Sequence, residues 1–124
     1  AKRIYRERYW TAPKLDAVAA TMPRLAAELF DTGVNIGPAV AAQFLQRALN
    51  ALNRRARDWA DVPVSGRIDA ATLAALAAAR AKRGAAVEAV LVKAVDALQG
   101  ARYIALAESR PLNEAFVYGW LDKR

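Results

Sequence analysis

Apolar residues recur three and four positions apart along almost the whole chain, and Val, Ile and Thr never gather into an alternating run of strand length. That pattern admits an all-α fold and little else. It is clearest after Pro38, where Val40, Ala41, Phe44, Leu45, Ala48, Leu49 and Leu52 fall on one helical face. Gln43, Gln46, Arg47, Asn50 and Arg54 take the other. Before it, residues 4–10 read as a short helical segment ended near Pro13, and residues 15–22 as a second. Pro23 suits the first position of a third helix bearing Leu25, Ala26, Leu29 and Phe30. Gly33 is the expected C-terminal cap of that helix, with Val34-Asn35-Ile36-Gly37-Pro38 as a tight connection between two helices.

Further on, Asp61-Val62-Pro63-Val64-Ser65-Gly66-Arg67 carries turn chemistry, with room for a short β-turn excursion near 61–68. Asp69 caps a helix with Leu73, Leu76 and Ala77. After Gly84 a long helix carries Val87, Val90, Leu91, Ala94, Val95 and Leu98 towards Glu108, and Gly100 weakens it without ending it. Pro111 opens a last helix with Leu112, Phe116 and Trp120. Phe30, Leu45, Leu49, Leu91, Leu98 and Phe116 are the expected shared core. No repeat or low-complexity linker divides the 124 residues, so one domain is expected.

The residue inventory removes several kinds of chemistry. With no Cys and no His, disulfides, thiol nucleophiles, histidine bases and Cys/His metal sites are all excluded. No cofactor or metal is expected. No uninterrupted run of 18 apolar residues exists, and the first eight residues are too charged for a secretory signal. The net charge of +7 favours an anionic partner: nucleic acid, an acidic membrane or an acidic cell-wall polymer. The basic groups fall in separate clusters, at Lys2, Arg3, Arg6 and Arg8, at Arg54, Arg55 and Arg57, and at Arg80, Lys82 and Arg83. A nucleic-acid binder concentrates such groups on one face or arm. Arginines near helix C-termini also complement the dipole without any ligand.

Polar candidates are few. Glu28 and Asp31 share a helical face, as a glycosidase pair must flank a bond, but any surface pair meets that spacing. Asp31 and Asn35 either tie the corner between two helices or face a ligand. Two aromatic clusters, Tyr5-Tyr9-Trp10 and Phe116-Tyr118-Trp120, suit either sugar stacking or a helical core.

Several of these segments resemble one family. Ile4-Tyr5-Arg6-Glu7-Arg8-Tyr9-Trp10, Phe30-Asp31-x-x-Val34-Asn35-x-Gly37-Pro38 and Leu45-Gln46-x-x-Leu49-Asn50 are similar to the predicted peptidoglycan-binding domain of glycoside hydrolase family 108 muramidases and lysozyme-like secretion-activator proteins. Val64-Ser65-Gly66-Arg67-Ile68-Asp69-x-x-Thr72-Leu73 resembles that domain's Asp-Gly-x-Ile-Gly-x-x-Thr-Leu element. The close Phe116-x-x-Gly119-Trp120-Leu121-x-x-Arg124 resembles its Phe-x-x-Gly-Trp-x-x-Arg ending. Ser65 stands where the family commonly has an acid and Asp69 where glycine is common, which favours a structural role for this turn. Residues 53–62 form a longer connection than is usual in the family.

The resemblance implies a lysozyme-like C-terminal lobe in which residues 1–124 form a single peptidoglycan-binding domain. The family's proposed catalytic acid lies in an upstream Glu-Gly-Gly-Tyr motif that is missing here. The chain is therefore expected to be a piece of a longer muramidase, to bind glycan chains beside an upstream catalytic lobe, and not to cleave alone. Tyr9, Trp10, Asp31, Asn35 and Gln46 are the implied substrate-binding residues. Periplasm, cell wall or a phage particle is the implied location. The alternative is a basic helical module contacting nucleic-acid phosphates through Arg54, Arg55 and Arg57. A third reading is an interaction domain docking on another helical surface.

Overall fold

A computed structural model describes residues 6–109 and 114–123, with side chains in the last helix described for 117–122. Among the described residues there are seven helical segments and no strand. They are α1 (Glu7–Thr11, one turn of π-helix), α2 (Leu15–Ala19), α3 (Pro23–Ile36), α4 (Pro38–Leu52), α5 (Ala70–Arg83), α6 (Val87–Ser109) and α7 (Glu114–Lys123). The fold is all-α. The segment expected as a β-turn excursion is irregular chain with a bend at Gly66 and Arg67.

Helix α3 is the hub, packing on α1, α2, α4 and α6, while α4 and α6 also pack on each other. Its apolar stripe of Leu25, Ala26 and Leu29 meets Ala41, Leu45, Ala48 and Leu49 of α4 and Leu91 and Val95 of α6 in one buried cluster. Leu45, Leu49 and Leu91 are fully buried, and Phe30 and Leu98 are partly buried against the same cluster. The side chain of Phe116 lies outside the described residues.

The two ends of α3 are set by different means. Pro23 occupies the first turn, where its fixed φ suits the helix and its missing N–H goes unneeded. The next two amides, of Arg24 and Leu25, donate to Glu88 Oε2 at 2.8 and 3.2 Å. Glu88 belongs to α6, so the cap is supplied across the bundle, where a carboxylate also complements the helix dipole. At the other end α3 continues past Gly33 to Ile36, and the break falls at Gly37, whose φ of +110° and ψ of 141° only glycine tolerates readily. Gly33 is buried within the helix because Pro38 packs there: a Cβ on Gly33 would lie 3.5 Å from Pro38 Cα. The expected cap at Gly33 is thus corrected by one turn. Gly100 also sits inside its helix, where the Trp120 ring of α7 packs over it.

Between α4 and α5 the chain follows an irregular path stabilised by side chains. Arg54, Arg55 and Ala56 all have positive φ, from 52° to 63°, a left-handed turn that costs roughly 1–2 kcal/mol per residue. Asn53 holds it, accepting from the Ala56 amide at 3.0 Å and donating to Asp61. Beyond the turn, Trp59 Nε1 donates to the Leu49 carbonyl at 3.0 Å, satisfying one of the open acceptors at the end of α4. Asp58 has no exposed side-chain surface and receives Arg54 Nη2 at 2.8 Å and Arg83 Nη2 at 2.7 Å, which ties this turn to the end of α5.

Two expectations follow. Leu49→Ala or Leu45→Ala should cost about 2 to 5 kcal/mol in denaturant unfolding, as for any fully buried leucine. An unchanged midpoint would refute the packing of α4. Hydrogen bonds from Arg54 and then Arg83 hold the Asp58 carboxyl well below the usual carboxylate range. Its folded form is the depressed one, so its contribution is complete above about pH 4 and is lost as the pH falls below that. The melting temperature of Asp58→Asn should therefore fall less between pH 7 and pH 3 than that of the wild type.

Candidate functional site

An open groove of about 330 Å³ lies among the described residues. One side is Arg8 with the α1–α2 connection, Pro13 and Lys14; another is the first turn of α4, Pro38, Ala39 and Ala42; the third is Gly66-Arg67-Ile68-Asp69. Tyr9 shares an inner wall with Pro13, Pro38, Ala42 and Ile68, and the Arg8 guanidinium stands 5.3 Å above its ring centre.

The Gly66 side of the groove is built from α4. Gln46 is completely buried, and three oxygens lie within reach of its Nε2: Ser65 Oγ at 3.1 Å, the Arg67 carbonyl at 2.8 Å and Thr72 Oγ1 at 3.0 Å. Its Oε1 accepts from the Gly66 amide at 3.1 Å. One turn on, Asn50 donates to the Val62 carbonyl at 2.9 Å and accepts from the Val62 amide at 2.8 Å, the two-bond exchange that a neighbouring strand would make. Gly66 has φ +80°, and a Cβ there would sit 3.4 Å from Gln43 Nε2 and 3.5 Å from the Ala39 carbonyl. Glycine is needed for the conformation, while the contacts themselves are ordinary van der Waals ones.

Asp69 ends this segment as the N-cap of α5, accepting from the Thr72 amide at 3.0 Å and the Thr72 hydroxyl at 2.8 Å, while its other oxygen takes a bond from Ser65 at 3.2 Å. These bonds, the Thr72 hydroxyl first, hold its carboxyl below the ordinary value. The side chains of Ser65 and Asp69 are thus engaged in holding the turn. Among the described residues no group of three or more Asp or Glu side chains could hold a metal ion.

The expected site residues are dispersed. Tyr9 lies beside the groove. Trp10 packs edge-on against Phe30, ring centres 5.8 Å apart, towards the core. Asp31 and Asn35 do not form a corner, because α3 runs through both; they lie one turn apart on its exposed surface, outside the groove lining. Gln46 has no exposed surface, so it shapes the groove from beneath rather than facing it. Arg8, Lys14 and Arg67 were not singled out by sequence reasoning. Arg8 was visible as part of a basic cluster. Lys14 and Arg67 were isolated charges whose convergence depends on the fold.

Residues 40–124 match the family model described as Predicted Peptidoglycan domain, over more than half of the chain. The chain belongs to that family. Residues 1–37 match a second model, described as Glycosyl hydrolase 108. Among curated proteins, none matches the chain. In this peptidoglycan-domain chain the boundary between the two matches coincides with the Gly37 break between α3 and α4. The groove spans that boundary: Arg8, Pro13 and Lys14 come from the first matched segment, Ala42 and residues 66–69 from the second. No described helix is long and apolar enough to cross a membrane.

Gln46→Leu should cost about 1 to 3 kcal/mol, because it leaves buried partners at Gly66, Arg67 and Thr72 unpaired. Gln46→Glu should cost at least as much, since it sets an acceptor against the Arg67 carbonyl. Urea midpoints for the two variants check this.

Proposed function

We propose that this domain binds the glycan chains of peptidoglycan and forms one wall of a muramidase cleft when joined to an upstream catalytic lobe. The observation that carries the reading is that a segment similar to glycosyl hydrolase 108 and a predicted peptidoglycan domain meet at the Gly37 break. A cleft is expected where two such segments meet, because concave sites form preferentially between packed units. Tyr9, half-buried beside the groove, offers an apolar ring face to a pyranose, and Trp10 supports that region from the core side. Asp31 and Asn35, exposed and one turn apart on α3, are polar contacts for a polymer longer than the groove. The reading puts the protein's action at the cell wall.

Nothing favours the nucleic-acid alternative. Arg54 is held by Asp58, and α5's Arg83 shares the same carboxylate, so the basic clusters are partly neutralised within the fold. Asp58 and Asp69 are both held below the ordinary carboxylate value, the opposite of what a glycosidase acid needs.

Retention on purified insoluble peptidoglycan at moderate salt tests the proposal. Wild type should be retained, excess duplex DNA should not compete, and Tyr9→Ala should reduce retention several-fold. Asn35→Ala should weaken retention while changing stability by less than about 0.5 kcal/mol. Failure of the wild type to bind refutes the reading. The chain by itself should leave cell-wall suspensions turbid; clearing that is abolished by Glu28→Gln or Asp31→Asn would overturn the non-catalytic role.

A further inference from the structure

The groove's lining is poorly suited to a sugar ring. It contains no aromatic residue and no amide or hydroxyl side chain. A pyranose is recognised by a flat apolar surface and by donors and acceptors around its rim, and neither is present within the groove itself. Its lining is instead cationic and apolar: Arg8, Lys14 and Arg67 from three separate segments, set among proline, alanine and isoleucine.

The charge balance is uneven. Arg8, Lys14 and Arg67, like several exposed cations elsewhere such as Arg55 and Arg80, make no ion pair among the described residues. The single acid in the lining, Asp69, has both carboxylate oxygens engaged by Thr72 and Ser65. Three cations against one engaged carboxylate, in a concave site with low-dielectric walls, concentrate positive potential. Pro38 and Ala39 add the N-terminal end of the 15-residue helix α4 to the same wall.

The backbone supplies a separate observation. Lys14 has φ 62° and ψ 34°, a left-handed conformation unfavourable for lysine by roughly 1–2 kcal/mol, and it lies in the groove lining. Gly or Asn would relieve that strain. A strained residue with a charged side chain at a cavity is the pattern expected when the side chain is used.

The geometry points to a carboxylate site: the groove takes the acidic peptide stem of peptidoglycan, its free carboxylate held by Arg8, Lys14 and Arg67 and its small side chains against Pro13, Ala42 and Ile68. This rests on the reading that the domain binds peptidoglycan, and it assigns the groove to the peptide and not to the sugar. A guanidinium grips a carboxylate with two parallel hydrogen bonds, and a volume of about 330 Å³ holds only a few residues of peptide.

Calorimetry on the folded chain with defined probes tests this. The probes are a disaccharide bearing its peptide stem, the same disaccharide without the stem, the stem-bearing form with its carboxylates amidated, and a glycerol phosphate polymer. The stem-bearing form should bind at least fivefold more tightly than the other three. Arg67→Gln and Lys14→Asn should each weaken it fivefold or more with unchanged helical circular dichroism, and Lys14→Asn should melt no lower than wild type. Equal affinity for the stem-free or amidated form, or no effect of both substitutions, overturns the assignment. Tighter binding of the phosphate polymer overturns the choice of carboxylate. If whole peptidoglycan still retains the chain in those cases, the glycan-binding reading survives without this one. If whole peptidoglycan does not retain it, both are refuted.

Discussion

The fold depends on amide side chains doing the work of a missing strand. Residues 53–69 cross the bundle as irregular chain, and their backbone groups need partners wherever they are buried. Helix α4 supplies them through Gln46, to the Gly66 and Arg67 backbone, and Asn50, to both polar groups of Val62, while Asn53 at its C-cap accepts from the Ala56 amide and donates to the Asp61 carboxylate. An amide carries both a donor and an acceptor, so each can satisfy two groups in fixed geometry. With this segment fixed, Trp59, Val62 and Ile68 join the core, and Gly66 comes within van der Waals distance of α4.

The groove is a consequence of that attachment. Its Gly66–Asp69 side exists only because Gln46 pulls the turn onto α4 and Asp69 starts α5 at the right place. Its opposite side exists because Gly37 lets α4 turn back directly after α3, and Glu88 of α6 fixes the other end of α3. Functional geometry here is set by buried polar contacts, while the apolar stripes set only which helices touch. The groove that results draws on both matched segments of the chain, which makes their joint packing a requirement for it.

Much of the architecture was legible residue by residue. Pro23, Pro38, Asp69 and Gly84 mark boundaries by local backbone chemistry, and they do so in the structure. Gly33 misled because a glycine near a helix end is ambiguous: it serves as a cap or as a contact point, and the approach of Pro38 decided for contact. Period alone puts Gln46 and Asn50 on the face of α4 away from its apolar stripe. A second layer, the 53–69 segment, covers that face, and nothing local reveals a covering that lies 12 to 21 residues away.

The sequence by itself determined the all-α class, the order of the helices, the apolar faces and the exclusion of thiol and histidine chemistry, because periodicity, caps and composition are local properties. It also carried the family resemblance, which lies in short motifs retained in order. Only the tertiary structure decided which polar residues are internal and which charges converge. Arg8, Lys14 and Arg67 share a groove, Gln46 is buried and Asn35 stands apart from both because through-space proximity is fixed by packing and long-range hydrogen bonds, which leave no period in the chain.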